Sequence, residues 1–139
     1  MAFNAYLKLD GITGESQGGL IRLENFSWGV SNSNSIGSGT GGAGAGKASF
    51  QDFSFAAAAG KQSPQLFQAA VEGRLIGTGT LTVNDKVDLL TIKFSDVFIS
   101  SYKLDEGGIP AVQRDLPVEN VSFNFAKIEF QVGGNTALG

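Results

Sequence analysis

The sequence predicts a mainly β protein: a compact, curved β-barrel or closed sandwich of antiparallel strands with one short α-helix. Three observations lead there. Apolar and polar residues alternate with a period of two through most of the chain. That alternation slips by one residue inside successive segments, which predicts β-bulges and therefore a strongly curved sheet. Only one stretch has a helical period with recognisable signals at both ends.

Residues 3–10 place Phe3, Ala5, Leu7 and Leu9 on one face and Asn4, Tyr6, Lys8 and Asp10 on the other, a half-buried strand. GITGESQGG reads as a turn region. In LIRLENFSWGV, Ile21 and Leu23 occupy one phase and Phe26, Trp28 and Val30 the other, so a bulge is predicted near Asn25. A similar slip separates Phe50 from Phe53 and Phe55. The helix follows, with Ser63 as its N-cap and Pro64 in its first turn. Leu66, Phe67, Ala70 and Val71 form its apolar stripe, and Gly73 closes it. At about ten residues it cannot stand alone and must pack on the sheet.

Three further β segments follow the helix. RLIGTGTLTV carries an exposed threonine face around Thr78 to Thr82, suited to lateral strand contacts or simply to solvent. In LLTIKFSDVFISSY, Leu90, Ile92, Phe94 and Phe98 share a face. In VENVSFNFAKIEFQV the phase switches from Val121, Phe123 and Phe125 to Ile128, Phe130 and Val132, predicting another bulge. The tail, residues 133–139, is expected to fray. Most of the 11 phenylalanines fall on inward phases, so they are core and not a ligand platform.

A chain of 139 residues is long enough for a single domain, residues 1–139, with its own core. Only 17% of residues are charged, so Ser, Thr, Asn, Gln and Gly must cover much of the surface. A net charge of −3 with no basic run argues against nucleic acid as a partner. The chain has neither cysteine nor histidine, which removes thiol nucleophiles, Ser-His-Asp triads and nearly all zinc sites. No apolar run reaches the ~18 residues that would span a bilayer, so membrane insertion is not expected. MAFNAYLKLDG alternates and has no basic or apolar leader region, so no signal peptide is expected.

Without His or Cys, an enzyme would need paired carboxylates or a Ser-Lys dyad. Asp96 shares the phase of Phe94 and Phe98, so it is expected inward, either as a general acid or bonded to backbone amides at a bulge. Asp52 receives the same two readings. Neither has a locally placed carboxylate partner, and no serine sits in a G-x-S-x-G elbow. No catalytic residue, cofactor or metal is therefore predicted. The sequons at Asn25 and Asn120 lie inside strands and read as chance matches.

The run GSGTGGAGAGK offers two phosphate patterns. Gly37, Gly39 and Gly42 fit G-x-G-x-x-G, and Gly41 to Lys47 fits G-x-x-x-x-G-K. The second requires Ser or Thr next, where Ala48 stands, and both require a following helix. KASFQDFSF is strand-like, so residues 34–47 read as a flexible loop.

Taken in order, AYLKLDGITGES, FSWGVSN, the Gly-rich run into GKASFQDFSF, SPQLFQAAVEG, FSDVFISS and DLPVENVSFNFAKIEF resemble the haemolysin-coregulated protein (Hcp) family. These are inner-tube proteins of bacterial type VI secretion, and the likeness runs from about Ala5 to Val132. It implies a β-barrel with a flanking helix, assembled into homo-hexameric rings that stack into a tube. A contracting sheath propels the tube behind a spike, and the lumen can hold effector proteins. It implies a non-enzymatic structural protein, assembled in the bacterial cytoplasm and secreted by the machine itself. It also implies that the long loop engages the next ring, which assigns the stacking contact to Ser35, Ile36, Gly37, Gly39, Gly41, Gly42, Gly44, Gly46 and Lys47. The connections at 14–20 and 82–89 are shorter than the family pattern, and neither a fused toxin domain nor a long tail is expected after the last strand. Competing readings are a phage-tail or other contractile-particle tube, and a carbohydrate-binding β-sandwich using Trp28, Tyr6 or Tyr102 as platforms. An enzyme ranks last.

Overall fold

The computed structural model describes residues 4–33, 47–85, 87–106 and 116–139. Strands dominate them: β1 (Asn4–Leu9), β2 (Ile21–Leu23), β3 (Asn25–Ser27), β4 (Val30–Asn32), β5 (Ala48–Phe50), β6 (Phe53–Ala58), helix α1 (Gln62–Glu72), β7 (Ile76–Asp85), β8 (Val87–Asp105), β9 (Val118–Asn124), β10 (Lys127–Val132) and β11 (Asn135–Leu138). The main ladder runs β2-β1-β7-β8-β9-β6-β3, antiparallel at every step. Its two end strands are separated in sequence by Glu24 alone, whose amide donates to the Ala56 carbonyl at 2.7 Å. The chain therefore crosses the seam of a curled sheet and brings its two edges together. The predicted mainly β class with one helix holds.

The expected bulge near Asn25 is this crossing. A bulge keeps one partner and gains a residue, whereas here the partner changes: β2 pairs with β1, and β3 with β6. The slip between Phe50 and Phe53 has the same cause. There β5 pairs with β4, while β6 pairs with β3 and β9. At the third slip the chain breaks between β9 and β10, yet both lie along the 19-residue β8.

Within β8 the phase inverts at Asp96, a non-glycine residue with φ of 56°. Ile92 and Phe94 point inward before it, and Val97 and Ile99 after it. Phe98, expected inside, is turned out and exposed. Only the first half of the predicted face therefore holds.

Alternation on β1 behaves as expected, with Ala5, Leu7 and Leu9 buried. The core centres on Phe53, whose ring meets Phe26, Phe55, Phe94 and Phe123 at centroid distances of 5.0–6.2 Å. Such pairs add roughly 0.5–1.5 kcal/mol each beyond area burial. β7 has both backbone edges taken, by β1 and β8, so its threonines form an outer face and not a free edge.

Gly73 ends α1 in the left-handed conformation, as predicted. The start differs, because Lys61 holds the cap position and Ser63 lies inside the first turn. Ser63 reaches back instead, its Oγ accepting the Gly60 amide at 3.0 Å. The buried stripe is Gln62, Leu66 and Ala69. Phe67 and Val71 are 56% and 68% exposed, so the apolar stripe is rotated off the core. The tail, expected to fray, is paired: Gly133 and Gly134 turn the chain and β11 lies along β10. Gly139 and Ile128 exchange two backbone hydrogen bonds of 2.7 and 2.9 Å.

Candidate functional site and assembly surfaces

The barrel presents an arm, a serine row and a helix-capped end. The arm is the two-stranded sheet of β4 and β5, which pair only with each other. All six of its residues are exposed, Val30 at 54% and Phe50 at 39%. Val30 was expected inside and is not, because β4 has left the barrel. A two-stranded sheet without a core is marginal alone. The arm is tied down by Phe50, edge-on to Phe125 at 5.8 Å, and by the Gln51 amide bonded to the Gly29 carbonyl at 2.9 Å. β6 runs into α1 and β3 is antiparallel to β6, so the arm leaves the barrel at the end away from the helix. Lys47 stands exposed at the arm's tip, where its carbonyl accepts the Ser33 amide at 3.3 Å. The other contact residues assigned from the resemblance, Ser35, Ile36, Gly37, Gly39, Gly41, Gly42, Gly44 and Gly46, lie outside the described residues.

The serine row crosses four strands. Ser27 on β3 pairs with Ser54 on β6, Ser54 with Ser122 on β9, and Ser122 with Ser101 on β8. Ser54 and Ser122 share a hydroxyl hydrogen bond of 2.9 Å. Asn25 and Asn120 flank the row in a shallow trough of about 410 Å³, to which Phe26, Phe55, Val121 and Lys103 also contribute.

At the opposite end α1 is pinned by polar side chains. Glu119 on β9 is fully buried. Its carboxylate accepts the Gln62 side-chain amide at 2.6 Å and the Tyr102 hydroxyl at 2.8 Å. Gln62 also donates to the Ala58 carbonyl at 3.0 Å, which leaves its own Oε1 buried without a partner. Burial, then the hydrogen bond and charge of Glu119, push the Tyr102 hydroxyl up to about 12. Sequence reasoning missed Glu119, although it shares the inward phase of Val121 and Phe123 on β9 and the signal was there to read.

The two carboxylates weighed from sequence are both exposed. Asp96 sits at the phase inversion and does not face the core. Asp52 accepts the Ser100 hydroxyl at 2.5 Å on the surface. Two of the three proposed sugar platforms have engaged rings: Trp28 is edge-on to Phe130 at 5.4 Å and Tyr102 to Phe67 at 6.2 Å. Among the described residues, no three His, Cys, Asp or Glu gather as a metal site, and no helix is long and apolar enough to cross a membrane.

The family model described as "Type VI secretion system effector, Hcp" matches residues 6–132. Among solved structures, one titled as a type six secretion system protein is 28% identical with a TM-score of 0.83, covering 99% of this chain and 93% of that one. A type VI secretion system effector from Yersinia pestis is 27% identical with a TM-score of 0.78, covering 97% and 98%. Hcp1 from Salmonella typhimurium, at 22% identity, TM-score 0.80 and coverage of 99% and 93%, shares the fold. Among curated proteins no sequence relative matches.

Proposed function

The chain belongs to the Hcp family of type VI secretion proteins, and we propose that it is a subunit of the inner tube, forming hexameric rings that stack. The observation that carries this reading is the arm. It is a two-stranded sheet with six exposed residues and no core, held out from the barrel at the end away from the helix. Such an element gains from a partner that covers it, and a contact from one end of a subunit to the other end of the next propagates without closing. Residues 34–47 belong to this contact, with Lys47 at its base. Stacking is reversible, because ordering glycines on contact costs conformational entropy.

The serine row faces the lumen in this reading. Its hydroxyls, aligned across four strands, give that surface a polar row. The sheath surrounds the tube, the spike precedes it, and the machine exports the chain after assembly in the cytoplasm. The protein acts as a structural element and not as an enzyme.

Electron microscopy with native mass spectrometry of the purified chain tests the proposal. Six-membered rings are expected, and a monomer at all concentrations overturns it. Replacing residues 37–46 with a short Gly-Ser turn should keep rings and fold while reducing stacks. Loss of the ring or of the fold would remove the stacking role from this loop.

A further inference from the structure

The outer face of the β2-β1-β7-β8-β10-β11 sheet carries a charge distribution that the other described residues do not share. Strand registers align its outward residues in rows. One row runs Arg22, Tyr6, Thr82, Thr91, Gln131 and Thr136 across six strands. The next runs Lys8, Thr80, Lys93, Glu129 and Leu138, and a third Thr78, Ser95 and Lys127. Six strands at about 4.8 Å spacing make a platform roughly 24 Å wide.

This face carries four exposed cations, Lys8, Arg22, Lys93 and Lys127, against the single carboxylate of Glu129, with Asp10 at its rim bonded to Thr78 at 3.0 Å. The whole chain has 10 Lys and Arg against 13 Asp and Glu. Among the described residues the other surfaces are acidic on balance, four cations (Lys47, Lys61, Arg74 and Lys103) facing eight carboxylates that are not buried, and the platform has the opposite sign. A groove of about 380 Å³ lies in it, bordered by Lys93 and Lys127, by Glu129 opposite Lys93, by Thr78, Thr80 and Ser95, and by Leu138, so its two cations outnumber its one carboxylate. Gly79 lies in its floor, where a Cβ would come within 2.7 Å of the Leu9 side chain on the core side.

We propose that this platform docks an acidic segment of a partner polypeptide, with carboxylates seated between Lys93 and Lys127 and the threonine hydroxyls bonding the partner's polar groups. Charge complementarity selects the occupant. Four cations spread over the platform, on a chain of net charge −3, are too sparse for a polyphosphate backbone, whose binding requires clustered neutralising charges. A partner polypeptide needs only a few matched pairs and the hydroxyl rows that lie between them. The inference uses the folded chain alone and does not rest on the stacking of rings.

The test uses the full chain in its native assembly and poly-L-glutamate as the probe. Binding is expected at low salt, weakening as salt screens the pairs. Amide chemical-shift changes should gather on β1, β7, β8 and β10. The double variant Lys93→Glu/Lys127→Glu should bind about tenfold more weakly or worse, with an unchanged circular dichroism spectrum and unchanged ring assembly. Arg74→Glu/Lys103→Glu, off this face, should bind as the parent does. Equal binding by the platform variant overturns the proposal. So does tighter binding to heparin or to phosphatidylglycerol vesicles than to poly-L-glutamate. Loss of rings in the folded platform variant would assign the face to contacts between copies and overturn it equally.

Discussion

The helix-capped end and the arm end of this barrel are built on opposite terms. At the helix end the backbone is cross-tied by side chains: Gln65 bonds both the amide and the carbonyl of Thr13, at 2.9 and 3.0 Å, and Glu15 accepts the Lys61 amide at 2.8 Å. Below them the buried Glu119 joins α1 to β8 and β9 through Gln62 and Tyr102. At the arm end, β4 and β5 have one ladder, one aromatic anchor at Phe50 and no buried residue. The first end is cross-tied within the monomer, the buried carboxylate of Glu119 being paired by two donors while Gln62 Oε1 beside it has no partner. The second is stable enough to exist and is open to whatever covers it. This asymmetry supports the head-to-tail stacking proposed above.

The comparison breaks if the helix end tolerates substitution or the arm does not. The largest effect is expected at Gly14, where a Cβ would come within 2.3 Å of the Leu20 carbonyl oxygen, a backbone atom that cannot step aside. Gly14→Ala should cost about 3 kcal/mol, seen as a melting temperature lower by roughly 10 °C. Glu119→Ala strands the hydroxyl of Tyr102 and weakens the hold on Gln62. Chemical denaturation should report a loss of about 2 kcal/mol.

Tyr102→Phe removes one donor only and should cost about 1 kcal/mol. It also carries a pH signature. The folded protein holds the Tyr102 proton to about 12, above the ordinary 10.0, so between these values the folded state binds more protons than the unfolded one. Stability contributed here is complete below pH 10 and falls as pH rises toward 12. Ultraviolet titration should show a phenolate step near pH 12 that the variant lacks. The smallest effect is expected on the arm: Val30→Ser should change stability by no more than about 0.5 kcal/mol, while reducing ring stacking in sedimentation. A large loss of stability there would mean that the arm is part of the monomer core.

Much of the architecture was legible along the chain because it depends on local phase. The inward set Ala5, Leu7 and Leu9, the Gly73 helix stop and the inward Ile92 and Phe94 all follow from residues a few positions apart. Where reading failed, the deciding atoms came from elsewhere in sequence. A one-residue slip looks the same whether a strand bulges or changes partner, and only Ala56 across the seam decides it for Asn25. Phe67 and Val71 sit on a good helical stripe, yet the barrel receives Leu66 and Ala69 because Gln62 is drawn to Glu119. Asp96 took the phase of its neighbours on paper and lost it to a single left-handed φ.

By itself, the sequence determined a β protein with one short helix, a phenylalanine core, a Gly-rich run followed by Ala48 where a phosphate motif needs Ser or Thr, and the Hcp family. Those properties rest on periodicity, residue chemistry and the order of segments, all of which are written in one dimension. Only the tertiary structure decided that two strand edges meet at Glu24, that serines from four strands align, and that four cations gather on one face. Registers between strands distant in sequence are set by the packing of the whole core, so no local pattern carries them.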